Sequence, residues 1–126
     1  MKEELKTTLA PVPAGPYSQG IQFENLIFTA GQGPIDPETG KVVGETVEEQ
    51  TVKVLENIKH ILEEAGASMT DVVKSTVHLS DLADFQAFNE VYKKYFQEPY
   101  PVRTTVGSQL LGIKVEIDVV AIKNRG

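Results

Sequence analysis

Two charged residues of this chain sit where charge is expensive. Arg103 lies in Pro101-Val102-Arg103-Thr104-Thr105-Val106 and Glu116 in Lys114-Val115-Glu116-Ile117-Asp118-Val119. β-Branched neighbours of this kind belong to strands, and strand interiors hold Arg or Glu only when these are paired or put to use. A guanidinium fork grips a carboxylate through two parallel hydrogen bonds. A carboxylate near the molecule so held can take a proton from water and return one to a leaving group. Two readings follow. One is a site for a small carboxylate with acid–base function, the other a structural ion pair across adjacent strands.

Other chemistries are poorly served. The chain has no cysteine, which removes disulfides, thiol nucleophiles and thiolate metal sites and fits a reducing compartment. His60 falls on the polar side of a helical pattern. His78 shares a strand face with Lys74 and Thr76, and neither histidine has a second ligand at metal spacing, so no metal is expected. Gly31-Gln32-Gly33-Pro34 is glycine-rich but lacks the Lys-Ser/Thr ending of a phosphate loop. A net charge of −6 and a pI near 4.9 disfavour broad phosphate neutralisation, so no nucleic-acid partner is expected. Met1-Lys2-Glu3-Glu4-Leu5-Lys6 has no apolar core of a secretion signal, and no apolar run nears the ~20 residues of a membrane span. The expectation is a cytoplasmic protein with no membrane partner.

The elements that must position Arg103 and Glu116 are legible in outline. With 126 residues, 40% hydrophobic and 24% charged, the chain reads as one domain over residues 1–126. Residues 10–17, with three prolines, suit an extended loop. Leu26-Ile27-Phe28-Thr29-Ala30 reads as a buried strand, and Asp36-Pro37-Glu38-Thr39-Gly40-Lys41 as a turn. Thr46 with Glu49 makes a capping box. Val47, Thr51, Val54, Leu55, Ile58, Ile61, Leu62 and Ala65 then recur at helical spacing until Gly66. Residues 72–79 form a strand, and Ser80 or Asp81 caps a second helix. Its apolar stripe, Leu82, Phe85, Phe88, Val91, Tyr92 and Phe96, reads as core rather than a stacking platform for bases. Strands at 102–109 and 113–123 close the chain.

That order gives an α+β fold with both helices on one face of a sheet. In the last strand Val115, Ile117, Val119 and Ala121 share one side, while Val120 and Ile122 make the other side apolar too. A face meeting water would alternate strictly, so the uncovered face is expected to pack against further subunits.

Five segments occur in register along the whole chain: Gly15-Pro16-Tyr17-Ser18-Gln19-Gly20, Phe28-Thr29-Ala30-Gly31-Gln32, the run 84–92, Pro101-Val102-Arg103 and Val115-Glu116-Ile117. Together they resemble the YjgF/RidA family of reactive-imine deaminases. The resemblance implies a chorismate-mutase-like (YjgF-like) sheet of about six strands with two helices on one face. It also implies a homotrimer with a central barrel, and ligand clefts between neighbouring subunits. It implies an enzyme that hydrolyses 2-imino acids, arising from enamines such as 2-aminoacrylate, to 2-keto acids and ammonia without a cofactor.

Carried over by position, Arg103 becomes the carboxylate clamp and Glu116 the catalytic acid that positions or activates water. Tyr17, Gly31 and Asn89 become substrate-binding residues. Tyr17 also reads as a packing anchor and Asn89 as a local cap. Ala30 stands where the family often has serine, and Thr105 where it often has cysteine, so any role of Thr105 in binding runs through its hydroxyl or its N–H. Residues 107–112 also depart from better-known members. Two other functions stay open: a non-catalytic binder of small carboxylates that regulates a partner, and an endoribonuclease or translation inhibitor.

Overall fold

Thr46 starts the longest element, as its spacing to Glu49 requires. In the computed structural model, which describes residues 1–123, Thr46 Oγ1 accepts from the Glu49 N–H at 3.1 Å, and Glu49 Oε1 accepts from the Thr46 N–H at 3.1 Å. Helix α1 (Val47–Glu64) follows, with its predicted apolar stripe buried. Gly66 closes it at φ +78°, a left-handed conformation that glycine adopts without steric cost. Helix α2 (Phe85–Tyr95) is entered through a 3-10 turn, Leu82–Asp84. Asp81 caps that turn, its carboxylate accepting from the Ala83 N–H at 2.9 Å.

The strands are β1 (Glu3–Leu5), β2 (Gly20–Phe23), β3 (Leu26–Thr29), β4 (Val72–Leu79), β5 (Val102–Gly107) and β6 (Val115–Ile122). They form one sheet in the order β1-β2-β3-β6-β4-β5. Only β4 and β5 run parallel, and α2 supplies the crossover such a pair needs. The last strand therefore ends in the middle of the sheet, between β3 and β4.

Burial divides the two faces. Val115, Ile117, Val119 and Ala121 of β6 are at most 1% exposed and join Ile27, Val77 and Leu79 beneath the helices. Each fully buried side chain of this kind contributes roughly 1.5–3 kcal/mol. The opposite face has no helix over it and leaves Phe28, Val106 and Ile122 partly exposed. This is the expected α+β architecture: six strands, with both helices on one side.

Some boundaries differ. β5 stops at Gly107 rather than 109, although the Ser108 N–H still reaches the Leu79 carbonyl at 2.9 Å. β6 begins at Val115 rather than 113, because the chain turns at Gly112 with φ +76°. Leu82, placed in the helical stripe by its spacing, is 55% exposed because it belongs to the capping turn and not to α2. Strands β1 and β2 are too short, at three and four residues, to give a periodicity signal. Among the described residues, no helix is long and apolar enough to cross a membrane.

Candidate active site

Arg103 is set by strand register. It pairs with Ser75 of β4, and Ser75 is fully buried beneath α2, so the Arg103 side chain leaves the sheet on the helix face. Because β5 is the terminal strand, that side chain also lies at the sheet edge. There its guanidinium spreads over three rings of α2, with centroids at 4.7 Å for Tyr92, 5.3 Å for Phe88 and 5.6 Å for Phe85.

Such contacts contribute about 0.5–1 kcal/mol each at partly exposed sites. Tyr92 is itself fixed, its hydroxyl 2.7 Å from Ser75 Oγ in a buried hydrogen bond. Burial pushes the Tyr92 pKa up, against smaller opposing effects of the Ser75 hydrogen bond and the Arg103 charge. Among the described residues, no salt bridge involves Arg103.

Asn89 and Thr105 join this edge. Asn89 lies four residues after Phe85 and three before Tyr92, on the same side of α2 as those rings. Its Oδ1 is buried and has no hydrogen-bond partner, a condition that costs about 1–3 kcal/mol. Thr105 pairs with the core residue Val77 and so shares the face of Arg103, two residues along β5.

Glu116 points the other way. It alternates with the buried Val115 and Ile117 and pairs with His78 on the uncovered face. The loop after β3 is brought beside it by Gln32, which exchanges both backbone hydrogen bonds with Ile117 at 2.8 and 3.1 Å. Gly31 then backs so closely onto Glu116 that a Cβ there would lie 2.9 Å from Oε1. Tyr17 is half-exposed, and its hydroxyl accepts from the Ala14 N–H at 3.1 Å. Tyr17, Gly31, Gln32 and Glu116 line one cleft of about 600 Å³, with Leu111 and Ile113 on its rim.

One chain therefore does not bring Arg103 and Glu116 together. They leave opposite faces of the sheet, with β4 between their strands. Within one chain this rules out the ion pair across adjacent strands. The candidate residues fall into two half-sites. Arg103, Asn89 and Thr105 occupy the α2–β5 edge, while Tyr17, Gly31 and Glu116 occupy the loop cleft. The packing of Arg103 against three rings of α2, and the Ser75 hydrogen bond to one of them, have no signal in the sequence. The spacing of Phe85, Phe88 and Tyr92 signals a core stripe, and only the packing of β5 under α2 shows what else those rings do.

Comparison with known proteins gives the chain its family. The model of the family described as endoribonuclease L-PSP matches residues 7–123. The chain belongs to this family, the YjgF/RidA family. Relatives of this YjgF/RidA chain include a RutC family protein of Pyrococcus abyssi, 54% identical over 97% of this chain and 98% of its own length. The chloroplastic Reactive Intermediate Deaminase A of Arabidopsis thaliana is 48% identical over 95% of this chain and 65% of its own length. Among solved structures, Escherichia coli TdcF with bound serine superposes with a TM-score of 0.90 at 37% identity, covering 97% of this chain and 99% of that one.

Proposed function

We propose that the protein hydrolyses reactive 2-imino acids, formed from enamines such as 2-aminoacrylate, to 2-keto acids and ammonia. The observation that carries this reading is the Arg103 fork, packed against three aromatic rings and without a salt-bridge partner among the described residues. Such a group suits the carboxylate of a small amino-acid-like molecule. Family membership, a relative named as a reactive intermediate deaminase and a neighbour crystallised with serine all support a deaminase acting on molecules of this size.

The reaction asks little of the protein. In R–C(=NH₂⁺)–COO⁻ the imine carbon is already electrophilic. Arg103 binds and orients the carboxylate, turning a chance encounter into a fixed one. Glu116 takes a proton from water as its oxygen bonds to the imine carbon, and it returns a proton to nitrogen as the C–N bond breaks. The hydroxyl left on that carbon becomes the keto oxygen as its own proton passes to the departing ammonia, so the products are the 2-keto acid and ammonium. Asn89, Thr105 and Tyr17 contribute polar contacts around the substrate, and Gly31 admits it close to the backbone.

Because the half-sites lie on opposite faces of one chain, the working site takes Arg103 from one copy and Glu116 from a neighbour. A ring of three copies with their uncovered sheet faces turned inward provides such a boundary at each junction. A cytoplasmic setting fits this function.

The test is complementation. 2-Aminoacrylate is generated in situ and pyruvate release followed for wild type, Arg103→Ala, Glu116→Ala and a co-refolded equal mixture of the two variants. Each variant alone should fall to background, and the mixture should recover about a quarter of wild-type activity, since one junction in four pairs two intact halves. Wild type no faster than buffer sinks the deaminase. A mixture as inactive as its parents sinks the shared site.

A further inference from the structure

The wall of the Glu116 cleft is loop, and one of its fastenings is a buried carboxamide. Asn57 sits in the middle of α1 and is fully buried. Its Nδ2 donates to the Gly33 carbonyl at 3.1 Å and to the Ile35 carbonyl at 3.0 Å. Its Oδ1, equally buried, has no partner among the described residues. The reverse orientation of the amide would aim Oδ1 at two carbonyl oxygens, so the two acceptors decide which way it points.

A leucine of similar size would fill this position without burying an unpaired oxygen, so packing alone does not favour asparagine. What only a short neutral amide supplies here is two donors on one nitrogen, matched to two carbonyls of one loop. Lysine or arginine would bring a buried charge instead.

That loop carries the backbone around Glu116. Gly31 abuts the carboxylate, Gln32 is tied to Ile117 on β6, and Gly33 and Ile35 line the cleft. The loop is thus held on one side by β6 and on the other by Asn57. Two further buried amides fasten neighbouring parts of the same wall. Gln19 donates to the carbonyls of Thr7, Ala10 and Pro11, and Gln50 donates to Gly44 while accepting from the Lys114 N–H.

We propose that Asn57 is a positioning residue for the Glu116 half-site, fixing the loop at 31–36 against α1 and so setting the place of water and substrate beside the carboxylate. The proposal rests on the deaminase reading for its kinetic consequence but not for its structural one. Asn57 touches no substrate. It acts through the Gly33 and Ile35 carbonyls, and its loss is expected at the water-handling step rather than in carboxylate binding at the distant Arg103 edge.

The experiment compares wild type with Asn57→Leu, which keeps the branched shape at somewhat larger volume and removes both donors, and with Asn57→Ala should leucine prevent folding. Hydrogen exchange resolved by residue is read together with kcat and KM for 2-aminoacrylate hydrolysis. The expected result is a selective loss of protection at residues 31–36, with α1 and the sheet unchanged, and kcat about tenfold lower with KM within about twofold. Unchanged exchange at 31–36 overturns the proposal, as does exchange that rises uniformly over α1 and the sheet. A kcat equal to wild type with a loosened loop overturns it as well. The exchange arm needs no substrate, so a wild-type protein without turnover would sink the function while leaving the positioning role to be judged.

Discussion

The two half-sites are built by opposite means. Arg103 stands on a strand paired along its length to β4, over rings carried by a helix, so backbone ladders and core packing fix it. Glu116 also stands on a strand, but the cleft beside it is walled by loops: Tyr17, Gly31 and the residues that Asn57 holds. Regular elements place a group to within the stiffness of a ladder, while a loop is placed only as well as its side-chain fastenings allow. The difference teaches where each half tolerates change. The arginine edge depends on the core. The acid cleft depends on a few polar contacts and on one absent side chain.

Changes at the arginine edge should have the largest effect. Arg103→Ala loses the clamp outright, at roughly 2–5 kcal/mol in kcat/KM, or about 30-fold to several-thousand-fold. Arg103→Lys keeps the charge but not the fork or the stacking, and should recover only part of that loss, mainly through KM. Steady-state kinetics on the in situ 2-aminoacrylate assay reads both. A lysine variant equal to wild type would mean that the fork and its packing against the rings are irrelevant.

Gly31→Ala probes the other half. The added methyl would meet Glu116 Oε1 at 2.9 Å, the far end of a flexible side chain, so the fold should survive with stability within about 0.5 kcal/mol. A displaced carboxylate misplaces water, and kcat should fall about 10- to 100-fold. Melting curves and kinetics on one preparation decide it. If activity holds, Glu116 does not need its present position and the cleft is less demanding than its geometry implies.

The smallest effect tests how the helix behind the arginine platform is docked. Tyr95 of α2 donates its hydroxyl to Glu56 of α1 at 2.8 Å. Burial first, then that hydrogen bond and the Glu56 charge, push the Tyr95 pKa from its ordinary 10.0 to about 12. A raised folded value means that the fold favours the protonated phenol. This contribution is complete below pH 10 and is lost as pH rises through about 12. Tyr95→Phe should therefore melt slightly below wild type at neutral pH, with the gap closing at the alkaline end of that window. A gap that is constant with pH would mean the hydroxyl adds nothing through its ionisation.

Much of this molecule is written in local sequence. The capping box at Thr46 and the stripe from Val47 to Ala65 specify α1 because the apolar period and the cap concern residues within one turn of each other. The period of β6 specifies which of its residues share a side for the same reason. Arg103 and Glu116 stood out because their charge conflicts with β-branched surroundings, and family motifs named their partners Tyr17, Gly31, Asn89 and Thr105. Glu3–Leu5 and Gly20–Phe23 give no comparable signal, since they are short and, unlike Leu26–Thr29, are not a continuous apolar run.

What the sequence could not decide is anything that depends on strand order. Whether Arg103 and Glu116 face each other turns on the insertion of β4 between their strands and on the face each residue takes. Parity along a strand is local, but which strand lies beside it is a matter of long-range pairing. The same holds for the double life of Phe85, Phe88 and Tyr92 and for the reach of Asn57 across to Gly33 and Ile35. The chain determined its helices, its core-facing residues and the identity of its reactive groups. Tertiary structure alone set those groups back to back, because proximity between distant segments comes from the packing of the whole sheet and not from any stretch of it.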